Sequence, residues 1–570
     1  MSSAKEPVTR RFGNGLTVLI KEDKSHPVVS LQYWVGTGSM NEGHWQGSGL
    51  SHLLEHLVFK GTAHFSGQEL ARKVQERGGH WNAYTSVNRT VYYIDGPAES
   101  WQIFLNLLTE LVFFPTFPED EMEREKEVVR REMAMYADDP DSVAYQLLMQ
   151  TLYLKHPRRW PVLGERAAFD CLTRQDVLDY HASRYVPNNV VLSIAGDVDA
   201  AEILSHLELL VEDLKSRPLN REPIPHEPHQ FGSRRVRKEF AVPYSKLHLA
   251  WRLPCSAHPD TPALSALSSI LGGGRSARFY EKFHDRLGLV YSIEVHSNQS
   301  ETDEGAFTIS MDVDRAQRDK VRDLVLQELR NLAEEDFTED LKRVCKQTRV
   351  SRLRRRSSAS GVASEMGADW FGSRNLNLSS EWQEAIERVT TEDLHRVCST
   401  WLSSPNVTEV SLDPPGSNAG DEERASASAG TALSEHVLGN GMKVVIREDH
   451  RLPLAYACMA FKAGCRAENE HDAGVTDLMS ECLLKGTSTR SAADIARFLE
   501  DIGGAINTST GNNSLSVGCQ VLAEDLDAGL ELMADVVMNP SFPEDAFLRE
   551  KESFVADAEE DMEDPLSVAF

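Results

Sequence analysis

The chain has 570 residues, 41% of them hydrophobic and 26% charged, the composition of a globular protein with room for several cores. Its 60 basic and 88 acidic residues leave a formal charge of −28, which argues against nucleic acid and against an anionic membrane surface as partners. No run of 18 apolar residues predicts a membrane span, and MSSAKEPVTRRFGNG lacks the apolar stretch of a secretory signal, so a cytoplasmic location is expected, with a mature periplasmic or organellar form as the alternative.

In chain order, β-branched and aromatic content predicts strands at LTVLIKE (16–22), VVSLQYWV (28–35) and TVYYIDG (90–96). Apolar spacing of three and four predicts helices at GLSHLLEHLVF (49–59), SGQELARKVQERG (66–78) and SWQIFLNLLTELVF (100–113). EDEMEREKEVVRREMAMYADD (119–139) reads as a long charged helix whose Glu-to-Lys/Arg pairs support a solvated face. VVLSIAGDV (190–198) is a further strand, and KLHLAWRL (246–253) and AFTISMDV (306–313) repeat the mixture. The expected fold class is α+β, a sandwich of sheet and helices.

The sequence repeats internally. FGNGLTVLIKED at 12–23 returns as LGNGMKVVIRED at 438–449, FPEDEMEREKE at 117–127 as FPEDAFLREKE at 542–552, and DDPDSVAY at 138–145 as EDPLSVAF at 563–570. The offset changes only from 426 to 425, so the two copies run in register. The expected organisation is a domain at 7–215, a second domain at 234–412, a linker at 413–431 and the start of a second copy at 432–570. The linker is rich in Pro, Gly, Ser, Ala and charge, and a four-proline break at 216–233 divides the first copy. Because 570 falls where the first copy has Tyr145, the second copy is expected to be truncated and the chain to be part of a longer one.

The chemistry sits in H-L-L-E-H at 52–56. On a helix His52 and His56 are i and i+4, so both imidazoles project from one face towards one ion. Glu55 stands beside that ion, where a carboxylate next to a metal-activated water suits peptide hydrolysis. The flanks are apolar, and buried imidazoles and carboxylates need partners, which a cation supplies. A catalytic zinc takes a third protein ligand, and the long acidic helix offers Glu121, Glu123, Glu125, Glu127 and Glu132. Glu125 and Glu132 lie two turns apart on one face; spacing alone does not choose between them.

HLLEH, with GTGSMNEG (36–43), GGHWNAYTSVNRTVYY (78–93), EREKEVVRREM (123–133), HPRRWPVLG (156–164), YVPNNVVLSIAGDV (185–198) and LGGGRSARFYEKFHDRLGLVYS (271–292), resembles the pitrilysin/insulinase family of zinc peptidases. The resemblance spans the chain outside the linkers. It implies duplicated two-domain halves that enclose a peptidase chamber, one Zn²⁺ per chain held by His52, His56 and Glu132, Glu125 in support, and Glu55 as general base. It also implies that a peptide or unfolded polypeptide adds as a strand along Asn82, Ala83 and Tyr84, after a turn at Gly78 and Gly79, with the second half of the chain closing the chamber. The expected function is that of a zinc-dependent endopeptidase. The alternatives are a presequence-processing peptidase, against which a fused two-copy chain leans, and a non-catalytic structural relative, against which the intact set of four argues.

The second copy carries Asp477, Ser480, Glu481 and Asp557 where the first has His52, Glu55, His56 and Glu132, so no zinc peptidase site is expected there. Arg278 and Tyr291 match residue types that the other half supplies in two-half relatives; here they read as remnants of the duplication that hold an interdomain contact. Gly272, Gly273 and Gly274 are followed by no Lys-Ser/Thr and make no phosphate loop. RLRRRS at 352–357 reads as a helix face or interface. The eight cysteines contain no CxxC and read as scattered thiols.

Overall fold

The computed structural model describes residues 6–219, 223–299, 305–402, 406–415, 434–446, 454–464, 466, 468–469, 472–502, 504–511, 513–551 and 554. It divides into two compact units, 1–421 and 422–570. The α+β expectation is borne out.

The first sheet contains β1 (Val8–Arg11), β2 (Thr17–Glu22), β3 (Val28–Val35), β4 (His80–Thr85), β5 (Thr90–Pro97) and β6 (Val190–Gly196), in the order β1-β2-β6-β3-β5-β4. Only β2 and β6 run parallel. Strand alternation explains why β3 is almost wholly apolar and buried. Val29, Leu31, Tyr33 and Val35 face the main core, while Trp34 faces the opposite side and packs against the helix Ala359–Ser373. On that second face the few polar groups are matched: Gln32 donates to the Ser360 carbonyl at 3.1 Å, and Ser193 to the Ala363 carbonyl at 2.7 Å.

The first five α-helices of this domain in chain order are α1 (Leu50–Val58), α2 (Gly67–Gln75), α3 (Trp101–Phe113), α4 (Glu119–Asp138) and α5 (Pro140–Leu152). In α1, Leu50, Leu53, Leu54 and Leu57 form the buried stripe, each contributing roughly 1.5–3 kcal/mol by leaving water. His52, Glu55 and His56 fall between those positions and so stand off the core.

The second sheet is β7 (Arg234–Glu239), β8 (Ser245–Leu253), β9 (Val290–Asn298), β10 (Gly305–Val313) and β11 (Thr408–Asp413), in the order β7-β11-β8-β10-β9. The two sheets exchange helices. Leu148, Met149 and Leu152 of α5 pack on Ala250, Ala306 and Val410, while Ala359–Ser373 covers the first sheet. Gly272 ends the helix Thr261–Gly272 against β9, where a Cβ would lie 2.4 Å from the Val295 nitrogen; that close approach accounts for the first of the three consecutive glycines. Asp413, assigned to the linker from composition, instead closes β11, fully buried and ion-paired with Arg318. One carboxylate in a polar stretch gives no sign of a buried partner 95 residues away.

Half of the 352–357 basic cluster is neutralised. Glu365, 5% exposed, holds Arg356 at 2.6 Å and Arg352 at 3.1 Å. Burial pushes the Glu365 pKa up, but the two guanidiniums outweigh it and hold it below the ordinary value of 4.5. Its stabilising contribution is therefore full above that ordinary value and is lost as pH falls through the depressed folded value. Glu365→Gln is expected to cost about 1–3 kcal/mol at pH 7. In denaturant titrations the gap from the parent should close as the solution is acidified; a pH-independent gap would contradict the pairing.

The described part of the second unit repeats the beginning of the first, element by element. β12 (Ser434–Val437) and β13 (Lys443–Ile446) form a hairpin, and β14 (Leu454–Lys462), β15 (Ala505–Thr510) and β16 (Ser514–Leu522) form a sheet ordered β14-β16-β15. The helices Val475–Leu483 and Leu526–Met538 correspond to α1 and α3 at an offset of 425. Asp557 and the repeat at 563–570 lie outside the described residues, as does most of the 413–431 linker. No described helix is long and apolar enough to cross a membrane.

Candidate active site

The start of α1 is held from two sides. Gly49 takes φ +73°, and a Cβ there would lie 2.0 Å from the Leu163 carbonyl oxygen, so the 161–164 loop presses directly on the helix start. The fully buried Glu42 accepts the Ser51 N–H at 2.8 Å, capping the helix, and burial pushes its pKa up to about 8. Its counterpart Glu468 accepts from the N–H groups of Gly474 and Thr476 at 2.7 and 2.8 Å.

With α1 so placed, His52 and His56 stand with ring centroids 4.7 Å apart. Glu132, from α4, brings Oε2 to 3.8 Å from the Nε2 of each. These separations are too long for hydrogen bonds. One ligand atom from each of the three residues lies within 4.8 Å of the others, and this is the one such group of three among the described residues. Two imidazoles and a carboxylate converging without bonding one another fit a divalent ion with the preferences of zinc.

Electrostatics supports the fit. Burial, with the neighbouring His56, pulls the His52 pKa down to about 3, so its imidazole is neutral and ready to donate a lone pair. At His56 burial acts in the same direction, but the hydrogen bond to Glu125 and the charges of Glu55, Glu125 and Glu132 outweigh it and raise the pKa.

Glu125 is placed differently from Glu132. Its Oε2 lies 3.1 Å from His56 Nδ1 and its Oε1 lies 2.6 Å from Lys60 Nζ. It therefore meets the far nitrogen of His56, leaving Nε2 turned towards His52 and Glu132, and it is 8% exposed against 28% for Glu132. Glu55 accepts a 2.5 Å hydrogen bond from Thr85 Oγ1, and burial raises its pKa above the ordinary value despite that bond. A cleft of about 650 Å³ opens beside His52 and Glu132, walled by Tyr136, Tyr145, Val162 and Leu163.

Asn82, Ala83 and Tyr84 lie on β4, the last strand of the sheet, which among the described residues pairs only with β5. The Ala83 N–H is taken by the Asn82 side chain at 2.8 Å.

Residues 17–166 and 443–568 match the family model described as Insulinase (Peptidase family M16), and 172–347 match the model described as Peptidase M16 inactive domain. An uncharacterised zinc protease of Mycobacterium tuberculosis (strain ATCC 25618 / H37Rv) is 30% identical over 299 residues, covering 51% of this chain and 67% of that protein. The chain belongs to the insulinase family, peptidase family M16. An uncharacterised zinc protease of Rickettsia felis is 27% identical over 406 residues, 69% of this chain and 94% of that protein. The crystal structure of a protease from Helicobacter pylori superposes with a TM-score of 0.66 at 26% identity, covering 72% of this chain and all of that one. A putative M16-like peptidase from Alicyclobacillus acidocaldarius, at 20% identity and a TM-score of 0.62 over 72% of this chain and 98% of that one, shares the fold.

Within this M16 chain the second copy keeps the scaffold and loses the donors. Thr510, the counterpart of Thr85, donates to Asp477, which stands at the position of His52. The Lys60–Glu125 pair, in contrast, returns as Lys485–Glu550 at 2.7 Å. Thr85, Lys60 and Glu42 escaped the sequence reading. All three return in the repeat, as Thr510, Lys485 and Glu468, so that signal was available; nothing in sequence ties Thr85 to Glu55. Arg278 is bound to Asp340 at 2.6 Å and Glu335 at 3.2 Å, and the exposed Tyr291 ring lies 5.3 Å from that of Tyr244.

Proposed function

We propose that this M16 chain is a zinc-dependent endopeptidase acting on peptides or unfolded polypeptide. The observation that carries the reading is the convergence of His52 Nε2, His56 Nε2 and Glu132 Oε2, with Glu55 one residue from His56. His52, His56 and Glu132 would hold the ion. When bound, it supplies Lewis-acid polarisation of the scissile carbonyl and a more acidic water. Glu55 would take a proton from the attacking water and pass it to the departing amine nitrogen. Thr85 fixes the Glu55 carboxylate, and Glu125 fixes the His56 ring and its tautomer. The β4 edge at Asn82, Ala83 and Tyr84 receives the substrate backbone once the Asn82 side chain releases the Ala83 N–H.

The reading is tested by metal analysis together with a panel of quenched peptides. About one zinc per chain is expected, because the second copy offers Asp477, Ser480 and Glu481 at the ligand and base positions. Hydrolysis should stop on chelation and return with zinc. A chain that holds one zinc and cleaves nothing would point to a structural relative instead, and two tightly held ions would contradict the asymmetry of the copies.

A further inference from the structure

A second cavity, of about 580 Å³, lies at the end of the first sheet against the helix Ala359–Ser373. Trp370 and Phe371 give it an aromatic wall, and Asn41 and Asn188 also line it. Arg11 of β1 and Arg374, just past the helix, both exposed, reach it, and among the described residues its lining contains no aspartate or glutamate. In a chain with 88 acidic residues against 60 basic ones, two arginines gathered without a carboxylate run against the overall composition. Several other guanidiniums are paired: Arg278 with Asp340, Arg318 with Asp413, Arg352 with Glu365.

Neither the Arg11 nor the Arg374 guanidinium has a hydrogen-bond or ion-pair partner among the described residues. Loss of hydration, and then the charge of Arg11, hold the Arg374 pKa below its ordinary value. The Trp370 indole N–H is also buried without an acceptor. The imbalance has one sign, donors and positive charge lacking acceptors. The backbone adds a separate observation. Arg374 has φ +59° and ψ +21°, a left-handed conformation that glycine adopts freely and an arginine does not. That conformation ends the helix Ala359–Ser373, with the Arg374 N–H donating to the Trp370 carbonyl, and it fixes where the Arg374 side chain leaves the backbone beside the Trp370 wall.

We infer that this cavity binds a small multivalent oxyanion, a polyphosphate or a polycarboxylate, clamped by the Arg11 and Arg374 guanidiniums beside the Trp370 wall. The guanidinium fork matches the oxygens of either group in bidentate fashion, and a cavity of this size suits a small metabolite. The inference does not depend on peptidase activity.

Isothermal titration of the 570-residue chain with inorganic triphosphate and with citrate tests it. Saturable binding of at least one probe is expected, weakening as salt is raised and falling tenfold or more in both Arg11→Gln and Arg374→Gly. The stronger probe assigns phosphate or carboxylate as the ligand chemistry. Arg374→Gly relieves the left-handed strain, so its melting temperature should match or exceed the parent's, separating loss of binding from loss of fold. Absence of saturable binding by both probes, or undiminished binding in either variant, would overturn the inference.

Discussion

Glu55→Gln is expected to retain its zinc and lose peptide hydrolysis by a factor of about 10² to 10⁴, the usual scale of general-base catalysis. The substitution preserves side-chain size, and the amide oxygen still accepts the 2.5 Å bond from Thr85. What disappears is the ability to take a proton. Zinc content should not move, because Glu55 is outside the group formed by His52, His56 and Glu132. The measurement is kcat on a quenched peptide alongside zinc per chain by plasma mass spectrometry. Wild-type turnover in a zinc-replete variant would remove Glu55 from the reaction. A zinc-free variant would instead show that its carboxylate helps to hold the ion.

Glu132→Gln and Glu125→Gln are expected to separate in metal affinity, although both should depress activity. Glu132 directs Oε2 to the gap between the two Nε2 atoms, at 3.8 Å from each. Removing one donor from a three-ligand site should leave the protein nearly zinc-free at micromolar zinc. Glu125 instead reaches His56 from behind, through Nδ1, and is tied to Lys60. Loss of such a partner costs about 10–100-fold in affinity or activity, so Glu125→Gln should recover turnover as zinc is raised. The Lys485–Glu550 pair of the second copy persists where both imidazoles have been replaced. Part of what Glu125 does is therefore structural, and a modest fall in melting temperature should accompany its substitution. Competition titrations against a chromophoric chelator rank the two. The reverse ranking would move the third ligand to Glu125 and leave the peptidase proposal standing.

Local pattern was enough to read much of this molecule. The β3 bounds, Val28–Val35, coincide with the predicted strand because a strand buried on both faces is a continuous β-branched and aromatic run. The leucines of α1 mark a helix by their spacing alone, and the same spacing puts His52, Glu55 and His56 off the buried stripe. The duplication was legible because both copies preserve register, and the change in offset from 426 to 425 is confined between Glu42 and Gly49 by the paired caps.

Tertiary structure decided what depends on approach between distant segments. Glu125 and Glu132 share a helical face and a residue type, so no local preference distinguishes them. The angle at which α4 crosses α1 brings one to Nδ1 and the other to Nε2. The Thr85 bond to Glu55 joins an edge strand to a helix 30 residues earlier, and the wall of the cleft comes from α4, α5 and the 161–164 loop together. Likewise the exchange of α5 and Ala359–Ser373 between the sheets leaves little trace in periodicity, because an apolar helical stripe records that a face is buried and says nothing about which sheet buries it.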